Sequence, residues 1–164
     1  MKSIPSKDEV WNILNEIPDP EIPVISIVEL GVVRDFAIQD KNIDIVITPT
    51  YTGCPATNFF EKDITTELIK AGFTTVNITH QYNPAWTTDL ISEESREKLR
   101  KYGIAPPDGR TSDKNFLLGK DPKVKCPQCK SSNTKMISQF GSTACKSLYQ
   151  CNECLETFDY FKCI

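Results

Sequence analysis

Apolar residues at Val10, Leu14 and Ile17 recur three or four positions apart, which puts them on one face of a helix. Ser6 and Glu9 have the spacing of a capping box, so this helix is expected to begin after Ser6. Pro18, Pro20 and Pro23 end it, because proline lacks a backbone donor and holds the preceding residue extended. The period then changes to two. Val32, Phe36 and Ile38 fall on one side of a strand, with Arg34 between them. Ile43, Ile45 and Ile47 alternate with Asp44 and Val46 in a second strand. The short polar stretch Gln39-Asp40-Lys41-Asn42 joins the two as a β-hairpin.

A turn-rich stretch, Thr48-Pro49-Thr50-Tyr51-Thr52-Gly53, leads into a helix expected to start at Cys54-Pro55. Its buried stripe is Ala56, Phe60, Ile64 and Leu68, and Gly72 stops it. Val76, Ile78 and His80 share one face of a third strand, and Ser92 caps a last helix that reaches Tyr102. The order α, β, β, α, β, α predicts an α+β domain over residues 1–103, with a small mixed sheet and packed helices. Residues 104–122 carry Pro106-Pro107-Asp108-Gly109 and little periodicity, and read as a linker. Residues 123–164 read as a small β-ribbon. Its hairpin strands are 134–140 and 147–150. A third strand places Phe158 and Tyr160 on one face and Phe161 on the other.

Composition adds little until it is divided along the chain. Apolar residues make up 39% and charged residues 25%, an ordinary globular balance. No apolar run approaches the ~20 residues needed to span a bilayer. The first eight residues lack the apolar core of a secretory signal, so a cytoplasmic location is expected. The net charge of −3 is uneven: the segment 120–164 has seven Lys against four acidic residues, and the remainder is acidic. An acidic body repels a phosphate backbone, which disfavours broad nucleic-acid binding.

The cysteines are just as uneven. Of seven, only Cys54 precedes residue 126. Cys126 and Cys129 form one Cys-x-x-Cys pair, and Cys151 and Cys154 form another after 21 intervening residues. Each pair can turn both sulfurs toward one ion from a tight knuckle, and two knuckles supply a closed tetrahedral site. Structural zinc is the expected occupant, although iron in rubredoxin-like sites shares the geometry. Forty residues bury little apolar surface, so metal binding would supply much of the ribbon's stability. Cys145 lacks a partner at knuckle spacing and reads as a small buried residue; Cys163 reads as exposed.

Cys54 lies between a glycine-containing loop and a helix start. The unpaired N–H groups and positive dipole there favour a thiolate, and Thr50, Thr52 and Thr57 can donate hydrogen bonds. An inert cysteine packed where helix meets sheet fits the same sequence equally well. His80, the sole histidine, reads as a structural or surface group rather than a general base. Asp19 and Glu21 read either as paired acids or as caps of a proline-rich loop. The chain has no phosphate-binding glycine loop and no dinucleotide fingerprint.

Three stretches carry a resemblance: Asp19-Pro20-Glu21-Ile22-Pro23, Glu29-Leu30-Gly31-Val32-Val33, and Thr48 through Pro55. They resemble the small domain of iron–sulfur cluster assembly proteins. Trp86-Thr87-Thr88-Asp89, Gly103-Ile104-Ala105-Pro106-Pro107 and Phe140-Gly141-Ser142-Thr143-Ala144-Cys145-Lys146 narrow it. With them, nearly the whole chain is similar to the D-subunit family of the phenylacetyl-CoA oxygenase, the ring 1,2-epoxidase. The resemblance implies that Cys54 is a functional thiol, with Asp19, Glu21 and Thr50 in the same pocket. It implies cytosolic work in aerobic phenylacetate catabolism, as a maturation factor that is not catalytic alone. The partners implied are the oxygenase and reductase subunits, whose iron–sulfur or di-iron centres it would help to place or repair. A transient iron–sulfur cluster or iron ion would be the cargo. One thiol cannot complete such a site, so a homodimer or hetero-complex is expected. Two other readings stay open: a docking adaptor built on the ribbon, and a thiol-dependent enzyme using Cys54.

Overall fold

The structure is a computed structural model that describes residues 4–107 and 123–162. The chain forms two compact units, Met1–Trp86 and Thr87–Ile164. This division falls earlier than the boundary expected at residue 103. Ile104 and Ala105, expected to open the linker, instead form a strand in the second unit. The rest of that expected linker from residue 108 onward, and Cys163, lie outside the described residues.

In the first unit, helix α1 (Lys7–Asn15) opens with the expected capping box. Ser6 Oγ accepts the Glu9 N–H, and Glu9 Oε2 accepts the Ser6 N–H at 2.7 Å. Val10 and Leu14 are its buried residues. Strands β1 (Val33–Gln39), β2 (Asn42–Ile47) and β3 (Thr75–His80) form one sheet in the order β1-β2-β3. The β1–β2 pair is antiparallel and the β2–β3 pair is parallel. Helix α2 (Ala56–Ala71) supplies the crossover that a parallel pair requires. Strand β2 is central, and Ile43, Ile45 and Ile47 are fully buried.

The alternation expected for β1 is modified. Its register shifts between Val33 and Asp35, so Val33 and Phe36, three apart, are both buried. An extra residue at a bulge breaks the period of two. Strand β3 alternates as expected, but as an edge strand its inward residues Val76, Ile78 and His80 are only half-buried. Trp86 closes the unit, its indole N–H donating to Leu30 O at 2.8 Å.

In the second unit, a short 3-10 turn (Thr88–Leu90) precedes helix α3 (Glu93–Tyr102). Ser92 Oγ accepts the Ser95 N–H, and Gly103 ends the helix at φ 95°, a left-handed position that a glycine takes without strain. The Arg96 guanidinium ties the ends of this segment together through the carbonyls of Thr88, Ile91 and Pro107. Strands β4 (Ile104–Ala105), β5 (Thr134–Ser138), β6 (Lys146–Cys151) and β7 (Thr157–Phe161) make a sheet in the order β4-β7-β6-β5. Its core gathers Ala105, Val124, Cys126, Tyr149, Cys151 and Phe158, with Met136 and Tyr160 packed against it. The Tyr149 ring stacks on Phe158 at 6.1 Å and meets Tyr160 edge-on at 5.6 Å. No helix of the described residues is long and apolar enough to cross a membrane.

Candidate metal centre and thiol pocket

The two Cys-x-x-Cys pairs meet. Cys126, Cys129, Cys151 and Cys154 bring their sulfurs within 4.8 Å of one another. Cys126 Sγ lies 3.7 Å from Cys154 Sγ, and Cys129 Sγ lies 3.5 Å from Cys151 Sγ. Four ligands at about 2.3 Å around a tetrahedral ion have sulfurs about 3.8 Å apart. The cluster therefore has the dimensions and the soft donors of a tetrathiolate site.

Backbone hydrogen bonds shape each knuckle. The Cys126 N–H donates to Ser131 O, and Cys126 O accepts the Lys130 N–H, both at 2.9 Å. In the second knuckle the Cys151 N–H donates to Glu156 O at 2.9 Å. Each knuckle offers one buried cysteine, Cys126 or Cys151, and one exposed one, Cys129 or Cys154. Without an ion the thiols differ in acidity. The backbone N–H of Cys154, then that of Glu153, holds Cys151 down at about 7 against the effect of burial. The Glu156 N–H favours the Cys154 thiolate, but burial and the three neighbouring thiols outweigh it and push Cys154 up to about 12. The Ser131 N–H likewise favours the Cys129 thiolate, but burial and neighbouring thiols outweigh it and raise Cys129 too.

Cys54 sits just before α2. The helix begins at Ala56 with Pro55 as its N-cap, slightly later than expected. Cys54 is therefore part of the turn, not of the first helical residues. Its N–H donates to Tyr51 O and its carbonyl accepts the Thr57 N–H, both at 3.2 Å. Gly53 makes this turn with φ 82°; an added Cβ would meet nothing within 4 Å, so conformation and not space calls for glycine. Thr50 Oγ1 approaches Cys54 Sγ at 3.9 Å, so the structure brings these two residues together. Cys54 is only 9% exposed. Thr48, in the same loop, is buried, and its hydroxyl oxygen has no hydrogen-bond partner among the described residues.

Asp19 is buried and organises its own loop. Its Oδ1 accepts the N–H groups of Glu21 and Ile22, both at 2.8 Å. Glu21 is half-buried in that turn. His80 has partners that the sequence did not indicate. Its Nε2 lies 2.6 Å from Glu61 Oε1 on α2, and its Nδ1 lies 3.2 Å from the Tyr82 hydroxyl. Only the parallel β2–β3 crossover brings Glu61 to the end of β3, so no local pattern could have signalled that pair. Cys145 is buried beside the Thr143 hydroxyl at 3.1 Å.

The fold and the four-sulfur cluster define a protein with two parts, a small α+β domain and a four-cysteine β-ribbon. The family model described as iron-sulfur cluster assembly protein matches residues 7–79, and that described as PaaD zinc beta ribbon domain matches residues 110–162. An Escherichia coli K12 protein, named as the D-subunit of 1,2-phenylacetyl-CoA epoxidase, is 48% identical over 98% of this chain and 94% of its own length. The chain belongs to that epoxidase D-subunit family. A Porphyromonas gingivalis protein named Fe-S protein maturation auxiliary factor is 30% identical over 57% of this chain and 90% of its own. The crystal structure of the DUF59 domain from Bacillus anthracis superposes with a TM-score of 0.52 at 26% identity, covering 57% of this chain and 90% of that one.

Proposed function

We propose that this chain is an accessory and maturation component of a phenylacetyl-CoA oxygenase system, assisting iron–sulfur or iron-centre assembly in its oxygenase and reductase partners. The observation that carries this reading is the 48% identity to an epoxidase D-subunit across both units of the chain. The first unit's likeness to a maturation auxiliary factor supports the same direction. Cys54 is the proposed functional thiol, with the Thr50 hydroxyl against its sulfur, and Asp19, whose carboxylate accepts the Glu21 N–H, is proposed with Glu21 to line the same pocket. Iron or a cluster is cargo in this scheme. One thiolate supplies one ligand, and a second copy or a partner supplies the rest. The work is cytosolic and the chain is inactive alone.

Cys126, Cys129, Cys151 and Cys154 are proposed to hold one zinc ion, which would supply a closed structural cross-link. The chain's own residues bring the four sulfurs together through the knuckle hydrogen bonds, and Tyr149 and Phe158 share one core with the buried Cys126 and Cys151. A second reading, a docking adaptor with an inert Cys54, draws support from the burial of that residue.

The test is support of oxygenase activity in a reconstituted system. Cys54→Ala is expected to fold normally, keep its zinc and fail to support the oxygenase. Full support by that variant would leave the adaptor reading in its place.

A further inference from the structure

Among the described cysteines, Cys129 and Cys154 are exposed, while Cys126 and Cys151 are buried. The two exposed sulfurs come from different knuckles, and each lies against the buried sulfur of the other knuckle. Cys129 Sγ is 3.5 Å from Cys151 Sγ, and Cys154 Sγ is 3.7 Å from Cys126 Sγ. Ties that involve no sulfur hold the knuckles in this register. Asn152, between the two cysteines of the second knuckle, donates its N–H to Asn133 O at 2.9 Å. Its Nδ2 donates to Asn133 Oδ1 at 2.8 Å. Cys151 also pairs with Thr134, the first residue of β5, which follows the first knuckle. The cross-knuckle sulfurs are therefore side by side for reasons of chain geometry.

We propose that the four-cysteine cluster is a redox-exchangeable cross-link, in which hydrogen peroxide replaces shared metal ligation by two disulfides between the knuckles, Cys129–Cys151 and Cys126–Cys154. Sulfurs that ligate a metal are thiolates, and an exposed thiolate is the nucleophile that peroxide meets first. The Cys129 or Cys154 sulfur attacks one peroxide oxygen. The O–O bond breaks, leaving a sulfenic acid and a hydroxide. The buried thiolate beside it then attacks the sulfenic sulfur. The S–S bond forms, the S–O bond breaks and a second hydroxide leaves. Two protons from solvent convert both hydroxides to water. Each disulfide thus takes two electrons from two sulfurs and consumes one peroxide. A disulfide bond is about 2.05 Å long, so each sulfur of the closer pair moves by only about 0.7 Å. Oxidation gives up the metal, and the ribbon keeps its two knuckles joined.

The exchange rests on the zinc reading of the four sulfurs. Metal analysis before treatment tests that reading, and a disulfide map tests the exchange, so the two fail separately. The full chain as purified is treated with hydrogen peroxide, blocked with N-ethylmaleimide at acidic pH and digested with trypsin. Cleavage after Lys125, Lys130, Lys146 and Lys162 puts Cys126 and Cys129 on one peptide, and Cys151 and Cys154 on another. Disulfides between the knuckles join these peptides, whereas disulfides within each Cys-x-x-Cys pair leave them separate. The joined peptide is expected, with fragmentation placing its bonds at Cys129–Cys151 and Cys126–Cys154. A chromogenic chelator should record metal release in step with its appearance, and dithiothreitol with added zinc should restore the starting state. Separate peptides, the opposite pairing within the joined peptide, or sulfinic acid formed without a disulfide would each overturn the proposal.

Discussion

Lys130 and Leu155 occupy matching places in the two knuckles, each directly after the second cysteine of its pair, with φ 63° and 64°. Both adopt a left-handed backbone that an L side chain takes at a penalty of roughly 1–2 kcal/mol. The chain wraps the four sulfurs with two copies of one turn, and in both it uses a residue other than glycine at the strained position.

Leu155 is 70% exposed, so removing its side chain forfeits little packing. Leu155→Gly is therefore expected to stabilise the second unit by about 0.5–1 kcal/mol, the relieved strain less the entropy of a new glycine. Leu155→Val, β-branched at the same φ, should destabilise it. Thermal unfolding of the metal-loaded chain checks both signs.

Cys126→Ala removes one of the two buried sulfurs at the cluster. The variant is expected to lose its zinc and to loosen residues 123–162, while the sheet of β1, β2 and β3 keeps its amide protection. Zinc analysis combined with hydrogen exchange reads the two effects separately. Retention of one zinc per chain would contradict the ligand set.

The thiol acidities set the pH dependence of metal uptake. Without metal, Cys154 at about 12 and the raised Cys129 are protonated near neutrality. Binding must displace at least those two protons, so zinc affinity should fall at least about a hundredfold for each unit that the pH is lowered between 8 and 7. Below about 7 Cys151 is protonated as well, and the fall steepens. Chelator competition across this range measures the slope; a slope near zero would contradict thiol ligation.

At the other end of the chain, the Ser6 backbone N–H, then its hydroxyl, holds the Glu9 carboxyl below its usual 4.5. A carboxyl lowered in the folded state stabilises above its unfolded value, and this contribution fades as the pH falls below 4.5. Ser6→Ala should cost about 1 kcal/mol at neutral pH by removing the cap. Glu9→Gln should flatten the acid limb of stability below pH 4.5. Urea unfolding at pH 7 and pH 4 tests both.

Much of this was legible in the sequence because it is local. The capping box, the stripe of Ala56, Phe60, Ile64 and Leu68, and the Ile43–Ile45–Ile47 alternation each follow from a period and a boundary residue. The bulge in β1 was not legible, because a register shift depends on the partner strand. Nor was the pairing of Ile104 and Ala105 with Asp159 and Tyr160, which converts two residues of an apparent linker into a strand. Among the candidate site residues, the four-cysteine cluster could be read from spacing alone. The burial of Cys54 could not, because a thiol before a helix is placed as readily in the core as at the surface.

The proposed division of labour, with Cys54 handling iron while the ribbon holds zinc, comes down to one comparison. Metals and labile sulfide are measured on protein purified without air, wild type beside Cys54→Ala. One zinc per chain is expected in both, with iron present in the wild type and lost in the variant. Zinc alone in both proteins, or iron that persists without Cys54, would contradict that division.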